Sequence, residues 1–253
     1  MSIAAWAVTK NNKIITTLKK SICIAVLLLC SLAGRAQNNP YVDDKIVHFG
    51  FSLGLNFMDY SPTVSGDTLY REIGDETVGE IYDVRASSIL PGFSVGFITD
   101  VRLSRHLNFR FTPTLHFGIR TLNYKEIRTN NTYSVDVLSL PISIPLYLKW
   151  SAEREMNYRP YVIAGGGMTF DFGTDKERQI LQRPIDFFVE VGFGCDFYFS
   201  WFKLCPQLTY SIGFMNVLMP VADRPELPKQ DSFYTNALDR LRSRQITLTF
   251  NFE

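Results

Sequence analysis

Two short segments of the sequence carry the pattern G-x-S-x-G, which surrounds the nucleophilic serine in many hydrolases. They are GFSLG, which contains Ser52, and GFSVG, which contains Ser94. In those enzymes the serine lies on a strained turn between a strand and a helix. Here both segments lie within stretches that alternate large apolar residues with small or polar ones, a pattern typical of a strand. We therefore interpret these glycines and serines as small residues on a crowded face and assign no catalytic serine.

Three histidines, His48, His106 and His116, are the remaining candidates for catalysis or metal binding. A membrane-embedded lipid hydrolase, the enzymatic alternative, would need a serine, a histidine and an acid together at the membrane edge. No such set can be assembled from the pattern, and no two histidines have the spacing of metal ligands. The segment GGGM (165–168) lacks the Lys-Ser/Thr of a phosphate loop. We predict no catalytic residues, metal or cofactor.

Charged and imidazole side chains recur on the small, polar face of the predicted strands. If this face lines the inside of a closed sheet, they would neutralise one another as an ion-paired filling. A narrow conduction path is the alternative interpretation. The residues of this predicted lumen cluster are His48, Arg110, His116, Arg120, Lys149, Glu190, Asp196 and Lys203.

The alternation that places these residues on one face occurs in eight segments of the chain. In the first, HFGFSLGLNF, every second residue is Phe or Leu, and the residues between are His, Gly, Ser, Gly and Asn. Such a pattern predicts a strand with two unlike faces. The eight predicted strands span residues 48–57, 88–103, 107–119, 137–150, 158–172, 187–199, 202–214 and 245–252.

Connections between the predicted strands alternate in length. Short ones follow the second, fourth and sixth strands, and long ones span roughly 59–87, 123–135, 173–185 and 216–243. Short turns on one rim and long loops on the other are typical of an outer-membrane barrel. We predict an all-β fold, an eight-stranded antiparallel up-and-down barrel that crosses the outer membrane.

The number of large side chains on the apolar face indicates whether this face points into the barrel or out of it. The eight segments contain 44 large side chains on the apolar face. The interior of an eight-stranded TIM barrel holds about twelve side chains. An apolar belt of this size on the outside is compatible only with lipid, so we predict that the apolar face contacts membrane lipid.

Aromatic residues at strand ends agree with this orientation. Trp150, Tyr158, Trp201 and Phe252 all lie at the short-turn rim, where an interfacial aromatic girdle is expected. The end of the sequence, TLTFNFE, resembles the signal read by the barrel-assembly machinery, a predicted partner during biogenesis. It differs from that signal in ending on Glu253.

The first 36 residues are predicted to be a cleaved signal peptide, followed by a barrel domain over 37–253. Basic residues precede a short apolar core and small residues follow it, whereas a membrane anchor needs roughly 20 apolar residues. This segment carries five Lys or Arg and no acid, so the net charge of +1 becomes −4 without it. That balance gives no reason to expect nucleic acid as a partner. Cys195 and Cys205 fall on opposite faces, which argues against a disulfide.

The last long loop contains the segment DSFYTNALDRLRSRQ (231–245). Ser232 could begin a short helix. Such an element would either cover the barrel mouth or bind a partner protein. The candidate partner residues are Phe233, Tyr234, Leu238 and Leu241.

Across the mature chain the sequence resembles the PorT family, small barrels associated with the type IX secretion system and gliding motility of the Bacteroidota. The most specific segment is LPGFSVGFITDVRLSRHLNFRFTPTLHFGIRTLNY (90–124). Further resemblance lies in HFGFSLGLNFMDY, LSLPISIPLYLKW, YRPYVIAGGG and FKLCPQLTYSIGF.

This resemblance implies a non-enzymatic outer-membrane protein that is required for export or surface assembly of secreted cargo, with other secretion proteins as partners. An eight-stranded lumen passes no folded protein, so such a barrel would act through its loops and N-terminal tail. Both termini and the short turns are predicted to be periplasmic and the long loops extracellular. A generic structural or adhesion barrel of the OmpX type is the alternative function.

Overall fold

The computed structural model describes residues 45–64, 69–73, 76–80, 82–86, 90–126, 132–172, 180–220 and 238–253. The predicted signal peptide, Phe233 and Tyr234 therefore lie outside the described residues. The described part of the chain forms the following strands: β1 (Val47–Val64), β2 (Leu69–Ile73), β3 (Glu76–Glu80), β4 (Tyr82–Ala86), β5 (Pro91–Arg102), β6 (Leu107–Phe111), β7 (Thr114–Glu126), β8 (Thr132–Ser139), β9 (Pro141–Ser151), β10 (Tyr158–Asp171), β11 (Ile185–Tyr198), β12 (Lys203–Gly213) and β13 (Leu238–Phe252).

The main sheet closes on itself as a ring. β1 pairs antiparallel with β5 on one side and with β13 on the other. The ring continues from β13 through β12, β11, β10 and β9 to β6 and back to β5. β6 and β7 are consecutive parts of one interrupted strand in the wall, and so are β8 and β9. We call each such position in the ring a path, and the ring therefore has eight antiparallel paths. This confirms the predicted all-β, eight-stranded antiparallel fold.

Two of the eight paths are interrupted at a proline. Pro113 lies between β6 and β7, and Pro141 begins β9 directly after the break at Leu140. Proline has no backbone N–H and so cannot donate to the ladder. The carbonyl of Pro113 still accepts a hydrogen bond from the Phe97 amide at 3.0 Å. The ring therefore stays closed across this break.

Large apolar side chains cover the outside of the ring. On β1, Phe49, Phe51, Leu53 and Leu55 are exposed, and the alternating residues Ser52 and Asn56 are buried. Neighbouring strands continue this surface, since Phe51 stacks on Phe252 with ring centroids 4.9 Å apart. The apolar face thus points outward, as the alternation predicted. No helix in the described ranges is long and apolar enough to cross a membrane.

Toward the long-loop rim the two faces of the sheet exchange polarity. There Tyr60, Leu122 and Val137 are buried inside, whereas the outward Thr121 donates to Asp136 at 2.6 Å. The strands therefore continue beyond the apolar belt, with water outside and an apolar core within. Our prediction of loops over 59–87, 123–135 and 216–243 was wrong for the described residues that lie in β1 to β4, β7, β8 and β13.

The predicted short helix near 231–245 is also wrong for the part that the structure describes. Residues 238–252 form β13, which pairs with β1. The register shifts between Thr63 and Val64, so that Asp239 is an extra residue in β13, a β-bulge. The bulge lets both Leu238 and Leu241 point into the interior, where they are buried.

Small residues occur where neighbouring strands approach closely. A Cβ on Gly165 would collide with the carbonyl of Leu146, and one on Gly167 with the carbonyl of Ile144. The glycines of the segment GGGM therefore allow β10 and β9 to approach closely. Cys195 and Cys205 are free thiols, as their opposite faces predicted.

Candidate functional site

Six charged side chains fill the interior at the short-turn end of the ring, and we call them the ion-pair layer. Alternation along the strands turns these side chains inward, and the register between neighbouring strands brings them to one level. They are Asp100, Arg110, Lys149, Asp196 and Lys203, together with Glu253 directly after β13.

Arg110 is the centre of the ion-pair layer and is only 1% exposed. Its Nη2 lies 2.7 Å from Oδ2 of Asp100, and its Nε donates to the same oxygen at 2.8 Å. The guanidinium also pairs with Glu253, which in turn pairs with Lys203. The second carboxylate oxygen of Asp100 accepts a hydrogen bond from Asn108 at 2.5 Å. Arg110 therefore links opposite parts of the wall through two carboxylates.

Lys149 and Asp196 form a second buried ion pair beside Arg110. The Lys149 Nζ donates to both carboxylate oxygens of Asp196, at 2.9 and 2.7 Å. It also lies 4.1 Å from the centroid of the Tyr161 ring, a cation–π contact. Because burying an unpaired charge costs several kcal/mol, these reciprocal contacts allow the charges to remain in the lumen.

The alternation identified Arg110, Lys149, Asp196 and Lys203, but it missed Asp100 and Glu253. Asp100 has the inward parity of its strand, so the same alternation could have found it. Glu253 has inward parity relative to the outward Phe252, and its side chain is completely buried. Glu253 supplies the anion between Arg110 and Lys203.

On the long-loop side of the ion-pair layer, hydroxyl groups surround a cavity of about 70 Å³. This is room for a few water molecules, which would satisfy the polar lining. Glu190, from the predicted lumen cluster, is half-buried here and bonds the hydroxyls of Tyr147 and Thr209. The serine and threonine residues that line the cavity are Thr112, Thr114, Ser143, Thr169, Thr209, Ser211, Ser243, Thr247 and Thr249.

The remaining predicted lumen residues also point inward, at different levels. Arg120 is buried, with its guanidinium carbon 4.6 Å from the centroid of the Tyr60 ring. His116 is buried with its Nδ1 3.1 Å from Nε2 of Gln245. His48 is half-buried near the start of β1. The structure thus spreads the predicted cluster along the lumen and concentrates four of its members in the ion-pair layer.

Ser94 and His116 occupy paired positions on β5 and β7, the closest approach to a nucleophile and a base. Ser94 is buried in mid-strand, and no hydrogen bond joins its hydroxyl to His116 within the described ranges. A catalytic serine needs a base within hydrogen-bond reach and access to substrate. This pair has neither. The described part of the chain contains no group of three His, Cys, Asp or Glu side chains that could hold a metal ion.

A cluster of buried apolar residues, which we call the apolar cap, lies in the interior toward the long-loop end. Residues 180–182 and 217–218 are buried there, and backbone hydrogen bonds join the two segments. The amide of Arg183 donates to the carbonyl of Val217 at 2.7 Å, and that of Met219 to the carbonyl of Leu181 at 3.0 Å. The Tyr60 hydroxyl donates to Gln182 at 2.7 Å. The side chains of the apolar cap are Tyr60, Val84, Leu122, Tyr124, Val135, Val137, Ile180, Val217, Leu218, Leu238 and Leu241.

Two sets of predicted surface residues have different outcomes. Trp150 is 59% exposed and Trp201 95% exposed at the short-turn rim, with Tyr158 also exposed and Phe252 half-buried nearby. Their positions suit an interfacial girdle. Leu238 and Leu241, in contrast, are fully buried in the apolar cap, so neither presents a surface to a partner. These two leucines, which we predicted as candidate partner contacts, instead pack in the apolar cap.

Comparison with known proteins identifies the architecture. The family model described as "Outer membrane protein beta-barrel domain" matches residues 35–219. Among solved structures, Neisserial surface protein A has 12% identity and a TM-score of 0.39, covering 82% of this chain and 98% of its own. The outer membrane protein AlkL, solved in DMPC bilayers, has 14% identity and a TM-score of 0.34, covering 87% and 97%. No curated protein matches the sequence.

Proposed function

The chain belongs to the outer membrane protein beta-barrel domain family, and we propose that it is a closed, non-enzymatic barrel that serves protein export by binding other proteins. The observation that carries this proposal is the filled lumen. The ion-pair layer occupies one end, and the apolar cap the other. A barrel filled in this way is suited to positioning partners at the membrane rather than to transport.

The resemblance to the PorT family supports type IX secretion as the export system. Within this proposal the barrel contributes to export or surface assembly of cargo, and the cargo itself crosses the membrane elsewhere. The working surfaces are the N-terminal tail (37–45), the first long segment (59–86) and the last one (216–243). In the last segment Phe233 and Tyr234 remain candidates for partner contact.

We propose that the short turns and both termini face the periplasm and the long segments face outward. Aromatic residues at the short-turn rim and polar outward positions such as Asp136 at the other rim support this orientation. Single cysteines at Asp136 and Glu153 would test it, since Cys205 is buried and Cys195 lies within the apolar belt. A membrane-impermeant maleimide on intact cells is expected to label D136C and not E153C; the reverse result would overturn the orientation.

The function is tested by deletion of the gene, followed by proteomics of the culture supernatant. We expect loss of secreted cargo, restored by the wild-type gene, and co-purification of secretion proteins with the barrel from detergent. Normal cargo in the deletion strain would contradict the proposal. Loss of surface adhesion with normal secretion, after truncation of the long segments, would favour the OmpX-type alternative. Altered lipid A in the deletion strain would favour the hydrolase.

A further inference from the structure

Three arginines form an exposed row on the outward face of β13, and we call them the arginine ladder: Arg240, Arg242 and Arg244. Residues two apart on a strand share a face and lie roughly 7 Å from each other. The same face continues toward the short-turn rim with Ile246 and Phe250, which are exposed and apolar. The ladder therefore begins where the apolar belt on β13 ends.

The register of β12 places the ladder at the edge of the membrane-facing surface. Arg244 is paired with Ile212, and Phe214 lies two residues farther along, both exposed and apolar. The apolar belt on β12 therefore extends toward the long-loop rim beside Arg244 and Arg242. Arginine side chains at such a boundary extend their guanidinium groups to the headgroup level. The ladder is therefore positioned at lipid headgroups.

Charge around the ladder is unbalanced. Its register partners on β1 are Asp59, Ser61 and Thr63. Asp59, opposite Arg244, already accepts a hydrogen bond from the amide of Tyr60 at 2.8 Å. No ion pair to any of the three arginines is found among the described residues. With the exposed Asp239 next to Arg240 included, three guanidinium groups beside two carboxylates leave a net positive charge at the edge of the lipid-facing surface.

We propose that the arginine ladder binds the phosphate groups of lipid A in the outer leaflet. The planar guanidinium pairs with phosphate oxygens through two parallel hydrogen bonds, and a row of three can contact more than one phosphate of a single headgroup. Lipid is the ligand because the residues beside the ladder on β12 and β13 are apolar and membrane-facing. The assignment to the outer leaflet rests on the orientation proposed above.

The test measures lipid binding to the purified full-length mature barrel in detergent by native mass spectrometry. The probes are bisphosphorylated lipid A, the same lipid A with its phosphates removed, and phosphatidylglycerol. For R240Q/R242Q/R244Q we expect the Kd for bisphosphorylated lipid A to rise at least tenfold, since each basic residue at a membrane surface contributes about fivefold. The charge-preserving R240K/R242K/R244K variant is expected to stay within about threefold of wild type.

A matched control removes three positive charges elsewhere, in R85Q/R105Q/K125Q, and is expected to leave the Kd within about twofold of wild type. Heat-dependent gel mobility checks that every variant is folded. Equal Kd values for wild type and the triple glutamine variant would overturn the proposal. So would equal affinity for dephosphorylated lipid A or for phosphatidylglycerol. Because cysteine labelling tests orientation and supernatant proteomics tests export, failure of this site is distinguishable from failure of either.

Discussion

At the scale of single residues, the interior depends on buried charges whose partners come from other strands. Lys149 on β9 holds Asp196 on β11 through two hydrogen bonds, and both side chains are almost fully buried. Removal of one member of such a pair leaves the other desolvated without compensation, whereas removal of both charges avoids that cost. The stability of this layer therefore depends on matched charge more than on any single contact.

Lys149→Met is expected to lower the free energy of unfolding by about 3 kcal/mol, because Asp196 stays buried without its nearest cation. The double variant K149M/D196N is expected to recover more than half of this loss. Exposed Lys125→Met, the control, should change stability by less than about 0.5 kcal/mol. Urea unfolding in detergent micelles, followed by tryptophan fluorescence, measures all three. A K149M variant as stable as K125M would show that water already solvates Asp196.

Ser94 provides a residue-level test of the enzymatic alternative. Its buried hydroxyl has no hydrogen bond to His116, and a Cβ on Gly54 would press against it at 2.6 Å. Ser94→Ala is expected to leave secretion and lipid A composition unchanged, and a fluorophosphonate probe should not label the wild-type protein. Ser52→Ala, in the other G-x-S-x-G segment, is the matched comparison. Labelling that disappears in S94A alone would restore a nucleophilic role.

At the scale of elements, the strands continue beyond the apolar belt and exchange the polarity of their faces. β7 and β8 carry Leu122 and Val137 inside and the Thr121–Asp136 hydrogen bond outside. This region behaves as a soluble sheet around its own core, the apolar cap. Its stability therefore comes from burial of apolar side chains away from water.

Alternation along the sequence was sufficient to predict the eight paths and the direction of the apolar face. The alternation did not predict the apolar cap. If every outward residue is assumed to contact lipid, polar outward residues such as Asp136 and Ser134 are interpreted as loop residues. The β-bulge at Asp239 is likewise invisible in an alternating pattern, since it shifts Leu238 to the inner face only through pairing with β1. The burial of Glu253 in the ion-pair layer could be predicted only from the positions of Arg110 and Lys203, which face it.

Leu241→Ala tests the apolar cap as an element. Leu241 is fully buried, so its truncation is expected to cost about 2–5 kcal/mol of stability. Hydrogen exchange of the Arg183 and Met219 amides, which join the two buried segments, should speed up at least tenfold. Ile246→Ala, on the lipid-facing side of the same strand, should leave these two rates unchanged. Equal exchange rates in wild type and L241A would contradict the assignment of Leu241 to the cap.

At the scale of the whole molecule, two layers of opposite chemistry lie in series in the interior. The ion-pair layer and the apolar cap lie on either side of a cavity of about 70 Å³. Opening one of them leaves the other in place. Both layers are therefore relevant to the closed lumen that we propose.

The wild-type protein is accordingly expected to give no conductance steps in planar lipid bilayers under conditions in which a reference porin does. L241A alone should remain silent, because the ion-pair layer still closes the far end. Combining L241A with K149M and D196N should also stay silent, because the contacts of Arg110 with Asp100 and Glu253 still fill the short-turn end. Conductance steps from the wild-type protein, free of porin contamination, would contradict a closed lumen.

Two of the ion pairs cross the interior of the ring between strands that are not neighbours, and we call them chords. Arg110 on β6 reaches Glu253 beside β13, and Lys149 on β9 reaches Asp196 on β11 past the intervening β10. Each chord fixes the distance between two strands that are not hydrogen-bonded neighbours, which hydrogen bonds within the wall do not do. The ring is therefore braced from within at the level of the ion-pair layer.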